Sequence, residues 1–133
     1  MRNTSTSNPF FIVNVHQGHL DADANQQALK DVSEFLTSKK IPFKAVKNFK
    51  GKEFTGHSVI LDISDLATAQ SIAATHNQRT LTSIDAFGIG TALALDKTLC
   101  DTPLGKLVPT YRAALKPGES YLSTSLGCLY RWV

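Results

Sequence analysis

Cysteine is scarce in this chain. Cys100 and Cys128 are the only two in 133 residues, and they are not in a CxxC pair. That argues against a disulfide framework and makes reduced thiols in a cytosolic setting the expectation. Long apolar runs are missing as well. No stretch approaches the roughly 20 residues that a membrane-spanning helix needs. The leading segment MRNTSTSNP has no apolar stretch of the signal-peptide kind. Clustered arginine is also lacking. The basic residues are spread out, as Lys39, Lys40, Lys44, Lys47, Lys50 and Lys52, for a net charge of +3. This mildly positive face suits an anionic small ligand or simple solubility. It gives little support to nucleic acid as a partner. The P-loop, the GxSxG elbow and the GxGxxG dinucleotide turn are absent. Gly88 and Gly90, in FGIGTAL, form only a GxG and read as glycines that relieve crowding or make a hairpin.

The length fits one domain, and the 42% apolar content supports a core of modest size. Residues 1–9 read as a flexible lead and residues 10–133 as a single α+β domain. FFIVNV (Phe10–Val15) is a short, β-branched, buried first strand. A helix follows from about Ala24 to Lys39, capped by Asp21 or Asp23. Its apolar stripe is Ala28, Leu29, Val32, Phe35 and Leu36. IPFKAV (Ile41–Val46) reads as a strand, with Pro42 hinting at a sheet edge. His57–Ile63 is the third strand. A second helix spans Asp65–His76, capped by Asp62 or Ser64, with Leu66, Ala69, Ile72 and Ala73 inward. Arg79–Phe87 and Ile89–Leu95 form a hairpin. Lys97–Gly118 carries three prolines and little periodicity, so it reads as mostly loop. Ser120–Ser123 and Cys128–Val133 close the chain as a hairpin across TSLG. The order β-α-β-β-α-β predicts a ferredoxin-like split βαβ sandwich with an extra C-terminal β-hairpin.

The richest segment for function is KGKEFTGHSVILDI, Lys50–Ile63. A polar run with Gly51 and Gly56 feeds an apolar strand, which sets His57 and Ser58 at the mouth of a rigid support. The same run also reads as an ordinary loop. His57 and Ser58 do not make a triad, because neighbours on a strand point to opposite faces. Asn14, Gln78 and Asp85 are the other polar residues near strand ends. Glu53 and Glu119 are the available loop carboxylates. Tyr111, Tyr121, Tyr130 and Trp132 offer aromatic faces, although Tyr130 and Trp132 also suit packing or an interface. His16 and His19 form an HxxH beside Asp21. No third or fourth ligand is spaced for zinc, so a solvated turn is the expectation and no metal is assigned. Cys100, beside Asp101, has no evident histidine partner.

The layout resembles the small phage enzymes that degrade S-adenosylmethionine (SAM), long called SAM hydrolases and now viewed as SAM lyases. Several segments carry the resemblance across most of the chain. They are FFIVNVHQGHLDADANQQALKDVSEFL, the step Phe49-Lys50-Gly51 ahead of HSVIL, the helix ending in HNQRTLTSID, and the closing ESYLSTSLGCLYRWV. The resemblance implies a phage counter-defence enzyme acting in the host cytoplasm, probed through SAM as its small-molecule substrate. It implies cleavage to methylthioadenosine and homoserine lactone with no cofactor or metal, and a homotrimer with sites between subunits. The family places a glutamate just before the strand that here opens with HSVIL, where this chain has Gly56-His57-Ser58. Glu53, a few residues earlier, is then the displaced acid, or His57 replaces it. The residues implied are Glu53 and His57 as catalytic groups, with Asn14, Gly56, Ser58 and Gln78 binding substrate. The alternative is a non-enzymatic module that binds a nucleotide-like ligand or blocks a host enzyme.

Overall fold

The computed structural model describes residues 9–96, 98–124 and 127–133. The proposed lead 1–9 falls outside these except for Pro9, as do Ser125 and Leu126 of the TSLG turn. The strands are β1 (Phe10–Asn14), β2 (Phe43–Lys50), β3 (Glu53–Asp62), β4 (Thr80–Ile84), β5 (Ile89–Ala94), β6 (Thr102–Thr110), β7 (Ser120–Thr124) and β8 (Leu129–Trp132). The helices are α1 (Ala22–Ser38) and α2 (Leu66–Thr75), with short 3-10 turns at Ile63–Asp65 and Arg112–Ala114.

These strands close into an eight-stranded antiparallel barrel in the order β1-β3-β2-β7-β8-β6-β5-β4, with β4 returning to β1. The expected ferredoxin-like sandwich is therefore wrong. In such a sandwich β2 and β4 would be edges. Here β2 pairs with β7, and β4 pairs with β5. The element that overturns the expectation is β6, which falls inside the segment read as loop. It pairs with β5 through its first half and with β8 through its second. Pro103, Gly105 and Pro109 obscure it in the sequence. Pro109 nevertheless fits. Lys106 N donates to Val133 O on the β8 side, and Leu107 N donates to Gly88 O on the other. Amide direction alternates along a strand, so Pro109 turns its ring nitrogen away from β8 and removes no ladder bond.

Element ends shift for similar local reasons. α1 starts at Ala22, because the Asp21 carboxylate accepts from Ala24 N at 2.8 Å as an N-cap. β2 begins after Pro42 and continues to Lys50, so Pro42 marks a strand start rather than a sheet edge. β3 begins at Glu53, so most of the polar glycine-bearing run is strand. A bulge between Asn48 and Phe49 absorbs the irregular stretch. α2 begins at Leu66 rather than Asp65. Phe35 and Leu66, expected inward, are 44% and 41% exposed.

Strand alternation gives the barrel two apolar layers. Outside the barrel wall, Phe11, Val13, Val15, Val59, Leu61 and Leu81 pack beneath Val32 and Leu36 of α1 and Ala69, Ile72 and Ala73 of α2. Each fully buried aliphatic of this set contributes about 1.5–3 kcal/mol. Inside the lumen, Ile12, Ile84 and Leu122 gather Phe10, Ile60, Leu107, Tyr130 and Trp132. Gly90 makes room for Trp132, since a Cβ there would lie 2.4 Å from the indole. No helix among the described residues is long and apolar enough to cross a membrane.

Candidate functional site

One end of the barrel collects the polar strand ends. Asn14 ends β1, and its Oδ1 accepts from His16 N at 2.9 Å. That bond bends the chain outward at His16–Gln17. The turn is then fixed from several sides. Asn25, buried in the first turns of α1, accepts from Gln17 N at 2.8 Å and donates to the carbonyls of Gln17, Leu20 and Asp21. Gln78 Nε2 donates to the carbonyls of His16 and His76, each at 3.0 Å. Asn77 Nδ2 donates to Gln17 Oε1 at 2.7 Å. Asn77 ends α2 with φ 57°, a left-handed conformation that asparagine tolerates.

Gly56 is the floor under His16. A Cβ on Gly56 would approach His16 Cβ to 2.6 Å and Cγ to 2.8 Å, so only glycine lets the imidazole lie on β3. His16 Nδ1 is buried there without a hydrogen-bond partner among the described residues. Such a group is unusual and is readily satisfied by a ligand or water.

His57 sits two residues from Val59 on the outer, helix-bearing side of β3, cross-strand from Lys47. Burial holds its imidazole below the ordinary pKa, and the nearby Lys47 and His16 charges push the same way. Phe54 joins the group, edge-on to His57 at 4.9 Å between ring centroids and to His16 at 6.0 Å. Phe49 continues the row, 5.8 Å from Phe54 and stacked on Tyr121 at 5.2 Å. Tyr121 Oη accepts from Arg112 at 3.4 Å. The result is a neutral imidazole and an aromatic strip bordered by Lys47 and Arg112.

The six residues singled out from sequence divide accordingly. Asn14, Gly56, His57 and Gln78 surround the His16 turn. Ser58 points the other way, into the lumen, where its Oγ accepts from Asn48 Nδ2 at 2.9 Å. Glu53 is exposed near the tip of the β2–β3 hairpin, paired with Lys50. Its neighbour Phe54 shares a face with Phe49, so the Glu53 side chain leaves from the opposite face, away from His57. Within one chain the two residues read as catalytic are not brought together. Sequence reasoning missed His16 as a site residue, along with Asn25, Lys47, Phe49 and Phe54. Asparagine early in a helix, where it is a poor helix former, was the available signal for Asn25. The remaining candidates have separate duties. Asp85 Oδ1 accepts from Phe87 N and Ile89 N in the β4–β5 turn. Glu119 accepts from Lys116 N at 2.9 Å and lies 3.6 Å from the Arg131 guanidinium. His19, Cys100 and Tyr111 are exposed. No cluster of three or more metal-ligating side chains occurs among the described residues.

No protein-family model matches the chain, and a search of curated proteins finds no match.

Proposed function

We propose that the protein is a SAM lyase that acts in the cytoplasm of an infected cell and cleaves SAM to methylthioadenosine and homoserine lactone. The supporting observation is convergence. The segments that carry the family resemblance are far apart in sequence, yet Asn14, Phe49, Glu53, His57, Gln78 and Tyr121 all lie toward one end of the barrel. The chemistry suits them. The substrate's carboxylate oxygen attacks its own Cγ. The C–S bond breaks, and its electron pair neutralises the sulfonium to a thioether. Atoms and charge balance without water, metal or an external proton. The protein's part is to fold the substrate and stabilise charge.

Aromatic faces at Phe54 and Phe49 attract a sulfonium cation. A neutral His57 adds no competing positive charge. Lys47 offers an ammonium to the substrate carboxylate, and Asn14 and Gln78 lie beside the same turn. Glu53 leaves the opposite face of its hairpin, so in this reading it serves a site on a neighbouring copy. That favours sites shared between subunits, as in the homotrimer that the resemblance implies.

The test is incubation of the purified protein with SAM, without added metal, and chromatography of the products. Methylthioadenosine and homoserine lactone are expected, and Glu53→Gln should lower turnover by about 100-fold. Mixing Glu53→Gln with His57→Ala protein should restore part of the activity if sites are shared. Unchanged SAM at high protein concentration would sink the proposal. Retention of SAM without products would favour the non-enzymatic binding module, a reading that the separation of Glu53 from His57 within one chain also supports.

A further inference from the structure

The opposite end of the barrel holds a cavity of about 510 Å³. None of the six residues discussed above lines it. Its wall is the lumen side of Val46, Ile60, Ile84, Leu107, Leu122 and Tyr130. Pro9, Pro42, Asp62 and Asp85, at or beside strand ends, also line it, so it reaches the barrel rim. Ile12 and Trp132 do not line the cavity but pack in the same lumen cluster as Ile84, Leu122 and Tyr130, which do. Eight-stranded barrels are at the size where the interior is either filled by side chains or holds one small ligand. Here the volume falls within the range of small-molecule pockets.

The rim sets the charge of an occupant. Lys44, Asp62 and Asp85 all line the mouth and are all exposed. Each carboxylate spends one oxygen locally. Asp62 Oδ1 accepts from Ser64 N at 2.9 Å and Ser64 Oγ at 2.7 Å. Asp85 Oδ1 accepts from Phe87 N at 2.8 Å and Ile89 N at 3.0 Å. These bonds fix both side chains at the mouth and leave Oδ2 of each without a hydrogen bond among the described residues. Lys44 forms no ion pair with either, since the ion pair among the described residues is Arg131–Glu119. Two fixed carboxylates against one ammonium favour a cation. The aromatic faces of Phe10 and Tyr130, which also line the cavity, favour the same sign.

We propose that the barrel lumen is a binding site for a small apolar amine in its ammonium form, with the hydrocarbon in the lumen and the cationic head between Asp62 and Asp85. The site lies at the other end of the molecule from the SAM reading and does not depend on it. Its test uses n-octylammonium, n-octanoate and n-octanol as probes. Trp132, the sole tryptophan of the chain, packs in the same lumen cluster as the lining residues Ile84 and Leu122 and reports occupancy by fluorescence. Methyl shifts of Ile12, Ile60, Ile84 and Leu122 in the unaltered protein report location.

Saturable octylammonium binding is expected, about tenfold tighter than octanoate, with octanol between. Asp62→Asn with Asp85→Asn keeps the Oδ1 acceptors and should reduce that preference to about twofold. Leu122→Trp, which fills the cavity, should abolish binding of all three probes. Should that variant fail to fold, the methyl shifts of the unaltered protein decide the location. Octanoate binding as tightly as octylammonium, shifts confined to residues outside the lumen, or no saturable binding would each overturn the proposal.

Discussion

His57 shows how a site can be tuned by ordinary neighbours. It is partly buried, faces Lys47 across the β2–β3 ladder, and has His16 nearby. All three effects disfavour the imidazolium, and burial is the largest. The native state therefore holds fewer protons at this position than the unfolded chain just below the ordinary histidine pKa of 6.5. Stability tied to His57 is full above that value and is lost as pH falls toward its lowered folded value. Replacing Lys47 with methionine removes one positive neighbour and leaves the burial. The His57 titration, followed by its imidazole proton resonances, should then move up without reaching the unperturbed value. An unchanged or downward shift would mean that Lys47 does not act on His57. The other side of the same turn rests on Asn25, whose side-chain amide is spent on four backbone groups. A buried polar group bonded so fully specifies one loop conformation, since any other arrangement leaves its amide unsatisfied.

At the scale of elements, the helices and the apolar strands were legible because their periodicity is plain. Val13, Val15, Val59 and Leu61 are fully buried, and Val32 and Leu36 recur on the inward face of α1. β6 was not legible. Its prolines and glycine read as loop, and its alternation is weak because only part of one face meets the lumen. The candidate site was partly legible. Asn14, His57 and Gln78 could be placed at strand or helix ends, but their meeting at the His16 turn is a tertiary fact. The bulge after Asn48, which decides that Phe54 and not Glu53 shares the His57 face, has no local sequence mark. The β6 ladder gives a direct check. Lys106 and Val133 exchange both backbone bonds, so Val108, two residues on and opposite Arg131, also lies at a hydrogen-bonded pair. Pro109 does not. Val108→Pro should remove a ladder bond of about 1 kcal/mol and add a steric clash, lowering the melting temperature by about 5 °C or more. Pro109→Val should change it by about 2 °C or less. Equal effects at the two positions would mean that β6 is not in this register.

The whole molecule is held by closure. A closed barrel has no free strand edge, which removes the template for edge-to-edge association. The closure is non-local: β2 meets β7, β6 meets β8, and β4 returns to β1. The first four strands lie side by side as β4-β1-β3-β2, with α1 and α2 packed on their outer side. As an open sheet that half would expose β4 and β2 as edges. It would also uncover Ile12, Ile60 and Ile84, whose partners in the lumen include Leu107, Leu122, Tyr130 and Trp132 from the second half. A fragment ending at Phe87, after β4 and before β5, therefore tests the architecture as a unit. In a two-layer sandwich the helices and four strands would already contain the core, and the fragment would melt cooperatively as a monomer. In the barrel they contain only its outer layer. The fragment should be aggregation-prone, bind a hydrophobic dye and lack a cooperative thermal transition, whereas the full chain melts in one step. A soluble, cooperatively folded fragment would show that β5–β8 are appended to an independent domain instead of completing it.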